Sequence, residues 1–185
     1  AMTRQMGNNA RTLSNYVGAL KAMFLVDEVR AWTKKDYDRP GKASKYFMTD
    51  SGLMAHILRQ YDAGQLLTRT DYEAADFVGK VIETWVYNQL MPEIDLHPLW
   101  TIEHLRTSNH EVDFVITDAS GNVLGIEVKA SQSVQKEDFS HLQWFGERLV
   151  PSGVTYKGVV LYAGDQLRSF GNGCYAVPFA CMWAS

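Results

Sequence analysis

Apolar residues recur at Leu13, Tyr16, Val17, Leu20 and Phe24, a spacing that predicts one amphipathic helix opened by Thr12 as its cap. The next stretch, Phe24 to Ala31, has strand character. A polar segment follows, in which Pro40-Gly41 marks a turn, and Lys45 to Met48 reads as the returning strand. Asp50 or Ser51 then caps a helix through Leu53, Ile57 and Leu58. Helix, strand, basic hairpin, strand and helix together form the pattern of the back half of a winged helix. The pattern breaks around residues 60–72, where Gly64 and polar neighbours make a linker.

A long helix is predicted over about 75–91 from Phe77, Val78, Val81, Trp85 and Leu90, with Pro92 ending it. Strands are predicted at Leu99–Leu105, Glu111–Thr117 and Val123–Lys129, the last two joined by the turn cluster Asp118 to Asn122. A helix from about Lys136 carries Phe139, Leu142, Phe145 and Leu149. Tyr156–Tyr162 is a β-rich strand, CYAVP a short strand and FACMW a terminal helical turn. The second unit therefore orders as αβββαβ, an α/β sandwich with a mixed sheet. The division expected is a partial winged-helix unit over residues 1–62 and an α/β domain over 63–185.

Charge changes this picture by its placement. The 185 residues have a net charge of −3, yet residues 1–70 hold eleven Lys and Arg against six Asp and Glu, and residues 71–185 hold seven against fifteen. A basic first third favours polyanions through long-range attraction. Lys34, Lys35, Arg39, Lys42 and Lys45 crowd one hairpin and are candidate phosphate contacts; Asp36 and Asp38 dilute them, and a solvated hairpin explains them as well. An apolar fraction of 46% is ordinary for a globular chain, and no apolar run approaches a membrane span. No secretory leader opens the chain, and two cysteines, Cys174 and Cys181, make no disulfide framework, so a cytoplasmic setting is expected. The five histidines show no metal-ligand spacing, and Trp85, Trp100, Trp144 and Trp183 are assigned to the core.

Candidate chemistry lies in the hairpin around Ser120. If it folds symmetrically there, Asp113 lies opposite Glu127 and Glu111 opposite Lys129. Alternation then puts these four on one face and Val112, Phe114, Ile116, Leu124, Ile126 and Val128 on the core face. Two opposed carboxylates repel unless something answers them. Lys129, a shared proton or a divalent cation would each serve. Glu83, one turn beyond Gly79 on the long helix, either joins them or is solvated; Gly79 and Gly125 offer matching gaps for a close approach of helix to sheet. A (D/E)-x-K triplet arises about once by chance in such a chain, and there is one, so the triplet gains meaning only from the strands around it. Spacing leaves a metal site and a structural ion-pair cluster both open.

The segments GKVIE (Gly79–Glu83), HEVDFVI (His110–Ile116) and GIEVKAS (Gly125–Ser131) resemble the PD-(D/E)XK nuclease superfamily. With NYVGAL, SKYFMTDSGL, VVLYAG and the closing AVP-FACMW, nearly the whole chain resembles the uncharacterised C-terminal domain of prokaryotic AAA+-type P-loop ATPases. The resemblance implies a restriction-endonuclease-like core behind part of a winged helix. It implies Asp113 and Glu127 as ligands of Mg²⁺ or Mn²⁺, Glu83 completing the shell, and Lys129 orienting water or stabilising phosphate charge. It also implies DNA or another nucleic acid as substrate, and an ATPase domain as partner. No G-x-x-x-x-G-K-[ST] loop is present, so any ATP would bind in a domain missing from this chain, which reads as a C-terminal fragment. The fold also serves as an inert scaffold, so a non-catalytic module that binds DNA or protein and regulates the ATPase is the alternative.

Overall fold

The structure is a computed structural model and describes residues 10–33, 43–58 and 72–183. The described residues open with α1 (Ala10–Ala22). The helix closes when the Leu25 N–H reaches back to Leu20 O, with Phe24 held at a φ of 56°. That conformation suits glycine far better than phenylalanine. It explains why strand β1 (Val26–Ala31) begins after Phe24 rather than at it. Tyr16, Leu20, Met23 and Phe24 are exposed, so the stripe read from spacing is not core among the described residues.

β1 pairs antiparallel with β2 (Lys45–Met48), as the hairpin reading expected. Helix α2 (Ser51–Ile57) follows, and its cap is Asp50, whose carboxylate accepts the Leu53 N–H at 2.8 Å. The long helix α3 runs Tyr72–Leu96, with Pro92 inside it. Proline lacks an N–H but its fixed φ is helical, so it removes one bond near the end without stopping the last turn. Asn88 fastens α3 to the β2–α2 junction. Its amide donates to Met48 O at 3.0 Å and accepts the Ser51 N–H at 2.9 Å.

The second half follows the expected order. β3 (Thr101–Arg106), β4 (Glu111–Thr117) and β5 (Val123–Lys129) form an antiparallel meander. A 3₁₀ turn (Lys136–Phe139) and α4 (Ser140–Arg148) cross to β6 (Tyr156–Tyr162), which lies parallel to β5. A hairpin of β7 (Arg168–Gly171) and β8 (Cys174–Pro178) adds to the far side, and a 3₁₀ turn (Phe179–Trp183) closes the described chain. Sequence reading missed β7, whose four residues carry no apolar alternation. β1 also pairs parallel with β3, so the hairpin of the first unit extends the second unit's sheet. The result is a mixed α/β structure with one eight-stranded sheet, ordered β2-β1-β3-β4-β5-β6-β8-β7.

Both faces of the sheet are covered. On one, Phe139, Leu142 and Phe145 pack on Val115, Val123 and Val160. On the other, Val86 and Tyr87 of α3 pack on Phe114, Ile116 and Ile126. Each fully buried side chain of this size contributes roughly 1.5–3 kcal/mol. The buried tryptophan is Trp32, edge-on to Phe145 at 5.0 Å, whereas Trp183 is exposed. Gly125 does not admit the long helix: a Cβ there would meet Leu142 and the Tyr156 hydroxyl from the opposite face. Gly79 faces open space.

Gly146 of α4 lies against the ring of Tyr156, whose hydroxyl donates to Leu142 O at 2.8 Å and so cannot swing aside. Gly146→Ala is expected to destabilise the fold by about 1–3 kcal/mol through overpacking. Urea denaturation checks this, and a stability equal to the parent's would contradict the packing described.

Candidate functional site

The β4–β5 turn is tied by Asp118. One carboxylate oxygen accepts the N–H groups of Ser120 and Asn122, both at 2.8 Å, and the other accepts the Asn122 side chain. Gly121 takes the left-handed conformation there, with φ 81°. The ladder runs Thr117–Val123, Ile116–Leu124, Val115–Gly125 and Phe114–Ile126, the register read from symmetry about Ser120. The pairing stops at Phe114–Ile126, one position before Asp113 and Glu127.

There β4 is irregular. Against β3, Val115 pairs with Glu103 but Val112 with Leu105, so β4 holds one extra residue between them. Such a bulge resets the alternation of side chains. Val112 accordingly packs with Val115, on the α4 face, while Phe114 packs on the α3 face. The single core face expected for Val112 and Phe114 does not exist. Asp113, at the bulge, turns into the gap between the parting strands and accepts the Val128 N–H at 3.0 Å.

The remaining Asp113 oxygen meets Lys45 Nζ at 3.1 Å. The same ammonium lies 2.8 Å from Glu83 Oε1 and 3.0 Å from Glu111 Oε1. Lys45 leaves 16% of its side chain exposed. Burial works to lower its pKa, but Asp113, Glu83 and Glu111 outweigh burial and hold it above the usual lysine range. Lys45 was grouped in sequence with the basic hairpin, yet its charge faces inward to the acids. Lys34, Lys35, Arg39 and Lys42 lie outside the described residues. Glu111 does not face Lys129; its second cation is Arg106, at 3.7 Å. Lys129 pairs loosely with Asp138, at 3.8 Å.

Glu127 is 7% exposed, and its Oε1 has no hydrogen-bond partner. Burial, then the charge of Asp113, pushes its pKa up to about 9, against the pull of Lys129. A side-chain hydrogen bond with Asp113 raises it further. Glu83 is pushed up to about 7 by burial and then by Asp113, with Lys45 opposing. His104, 1% exposed, has its pKa lowered by burial and by Lys45, and its Nε2 hydrogen-bonds Ala43 O at 3.1 Å.

Glu83, Asp113, Glu127, Lys129, Arg106 and His141 line one open cleft of about 530 Å³. His141 was read from sequence as ordinary. Its Nδ1 lies 3.1 Å from His110 Nδ1, and the His110 ring stacks on Trp144 at 3.9 Å. Thirty-one residues separate the two histidines, and no spacing rule links them. A signal for Lys45 did exist: it shares a strand face with buried Phe47, two residues on. Among the described residues no group of three or more His, Cys, Asp and Glu is gathered to hold a metal ion. None of their helices is long and apolar enough to cross a membrane.

Both raised acids bind protons more tightly folded than unfolded, so folding takes up protons above about pH 4.5, and metal-free stability falls as pH rises. The fall should run through pH 7 for Glu83 and continue to pH 9 for Glu127. Glu127→Gln should match the parent at pH 5 and exceed it in stability at pH 9. Urea midpoints at the two pH values test this; a variant no firmer at pH 9 would place Glu127 in ordinary solvent.

No curated protein matches the chain. A crystal structure of protein VC1899 from Vibrio cholerae is similar over 93% of this chain at 12% identity, with a TM-score of 0.40. The chain spans about half of that protein, 47% of its length. Residues 1–63 match a domain of unknown function (DUF8612). Residues 78–182, which hold the whole sheet from β3 onward and the four acids Glu83, Glu111, Asp113 and Glu127, match the domain of unknown function DUF4143, and the chain belongs to that family.

Proposed function

We propose that this domain serves a P-loop ATPase and that its carboxylate cleft hydrolyses phosphodiester bonds of nucleic acid with a divalent cation. Family membership supports the ATPase association, and the resemblance of GKVIE, HEVDFVI and GIEVKAS to PD-(D/E)XK nucleases supports the chemistry. The observation that carries the reading is Glu127 Oε1, a buried carboxyl oxygen without a partner, on a residue that lines one cleft with Asp113. An orphaned buried acceptor costs about 1–3 kcal/mol, which a ligand there would relieve.

Asp113 and Glu127 offer the hard oxygen donors that Mg²⁺ or Mn²⁺ takes, and two carboxylates suffice where water and phosphate fill the remaining positions. Such an ion, when bound, polarises the phosphoryl oxygens and acidifies a bound water. The chain's residues do the rest. Glu127 gives up its proton to bind. Lys129 steadies charge developing on phosphate. Arg106 and His141 line the same cleft, where they meet the phosphate backbone. Glu83 holds Lys45 and sets the charge beside Asp113.

One observation favours a second reading, an inert module that binds nucleic acid or protein. Lys45 already contacts Glu83, Asp113 and Glu111, so part of the repulsion in the cluster is answered without metal.

Thermal melts and cleavage assays separate the two. Under the catalytic reading, Mg²⁺ or Mn²⁺ at a hundredfold excess over its dissociation constant stabilises the parent by about 2.7 kcal/mol. Glu127→Gln loses that gain and all cleavage of plasmid or oligonucleotide. Lys129→Ala keeps the gain and loses cleavage, and Asp113→Ala loses both. A parent that neither shifts with millimolar ion nor cuts is the inert module.

A further inference from the structure

The Lys45 ammonium holds Asp113, one of the two carboxylates that a bound cation would need. It lies within 3.1 Å of three carboxylates drawn from α3 and β4, and one of them, Asp113, acts on Glu127. A divalent ion bound to Asp113 and Glu127 would lie a few ångströms from this charge. Asp113 cannot serve both fully, since its second oxygen is engaged by the Val128 N–H. Two cations in a half-buried pocket also repel.

The chain is built so that Lys45 can leave without the strand leaving. Its backbone is fixed by pairing with Val29. The residues before it are anchored as well: Ala43 O by His104 at 3.1 Å, and Ser44 Oγ by donation to Glu28 at 2.7 Å. The four-carbon stem of lysine that reaches from this fixed point is flexible. An arginine or a short side chain would not give the same reach with a compact charge.

We propose that Lys45 is the resident counter-ion of the cleft: it holds Glu83, Asp113 and Glu111 in the absence of metal, and its side chain must swing out for a divalent cation to bind. The inference rests on the cation-binding reading above and adds to it a competitor contributed by the first unit of the chain. Apparent affinity for a divalent ion is then reduced by the fraction of molecules in which Lys45 is seated.

The test is Mn²⁺ binding to the full chain, followed by calorimetry and by the electron paramagnetic resonance of free Mn²⁺, with circular dichroism reporting the fold. Lys45→Met should bind Mn²⁺ at least tenfold more tightly than the parent, and Lys45→Arg no more tightly than the parent. Lys129→Met removes an equal charge from the same cleft but not from the seat, and should change affinity less than threefold. If Lys45→Met does not fold, the double variant Lys45→Met/Glu83→Gln, which removes one charge of each sign, is compared with Glu83→Gln alone; tenfold tighter binding is again expected. Parent-like Mn²⁺ affinity in both Lys45→Met comparisons, or an equal gain in Lys129→Met, overturns the counter-ion role and leaves the cation site standing. No Mn²⁺ binding by any of these proteins overturns the cation site and this inference with it.

Discussion

Four acids meet where β4 and β5 part, and the sheet must answer their charge within a half-buried space. Lys45 reaches three of them, a backbone N–H takes one oxygen of Asp113, and burial favours the neutral form of Glu127. None of these answers suffices alone. Removing Lys45 would leave three carboxylates facing one another, and ionising Glu127 would add a fourth. Burying unpaired charge costs several kcal/mol per ion, a large fraction of a domain's net stability. The cluster is therefore tolerable only because three different elements converge on it.

That convergence explains how the two parts of the chain are joined. The acids come from α3, β4 and β5, in the acidic part of the sequence, and the seated cation comes from β2, in the basic part. The β1–β2 hairpin pairs with β3 and so becomes the edge of the shared sheet. Asn88 ties α3 to the junction of β2 and α2, which fixes Lys45 and Glu83 relative to each other. Among the described residues, the Lys45 ammonium is a point where the basic part of the chain meets the acidic part.

Much of the fold was legible because its elements obey local rules. Strands β2, β4, β5, β6 and β8 begin and end where alternation and turn residues put them, and the Asp118 turn set the hairpin register. Pro92 misled because proline near a helix end removes little. The bulge at Asp113 was invisible because it depends on pairing with β3, a strand whose register the hairpin does not determine. At the site, Asp113 and Glu127 were legible as opposed acids, whereas the pairing of Glu111 with Lys129 assumed a regular strand that the bulge interrupts. Lys45 was read with the basic residues before it in sequence rather than with Phe47, its neighbour on the strand. The His110–His141 contact is long-range, and nothing local announces it.

The account turns on whether the cleft takes a cation in exchange for the Lys45 charge. Anomalous diffraction from crystals soaked in Mn²⁺ measures this directly, since the ion and the lysine are located in the same map. The account predicts an anomalous peak bridging the carboxylates of Asp113 and Glu127, with Lys45 Nζ moved out of contact with Asp113. A map with no peak there, or with a peak while Lys45 stays within 3.1 Å of Asp113, would contradict it.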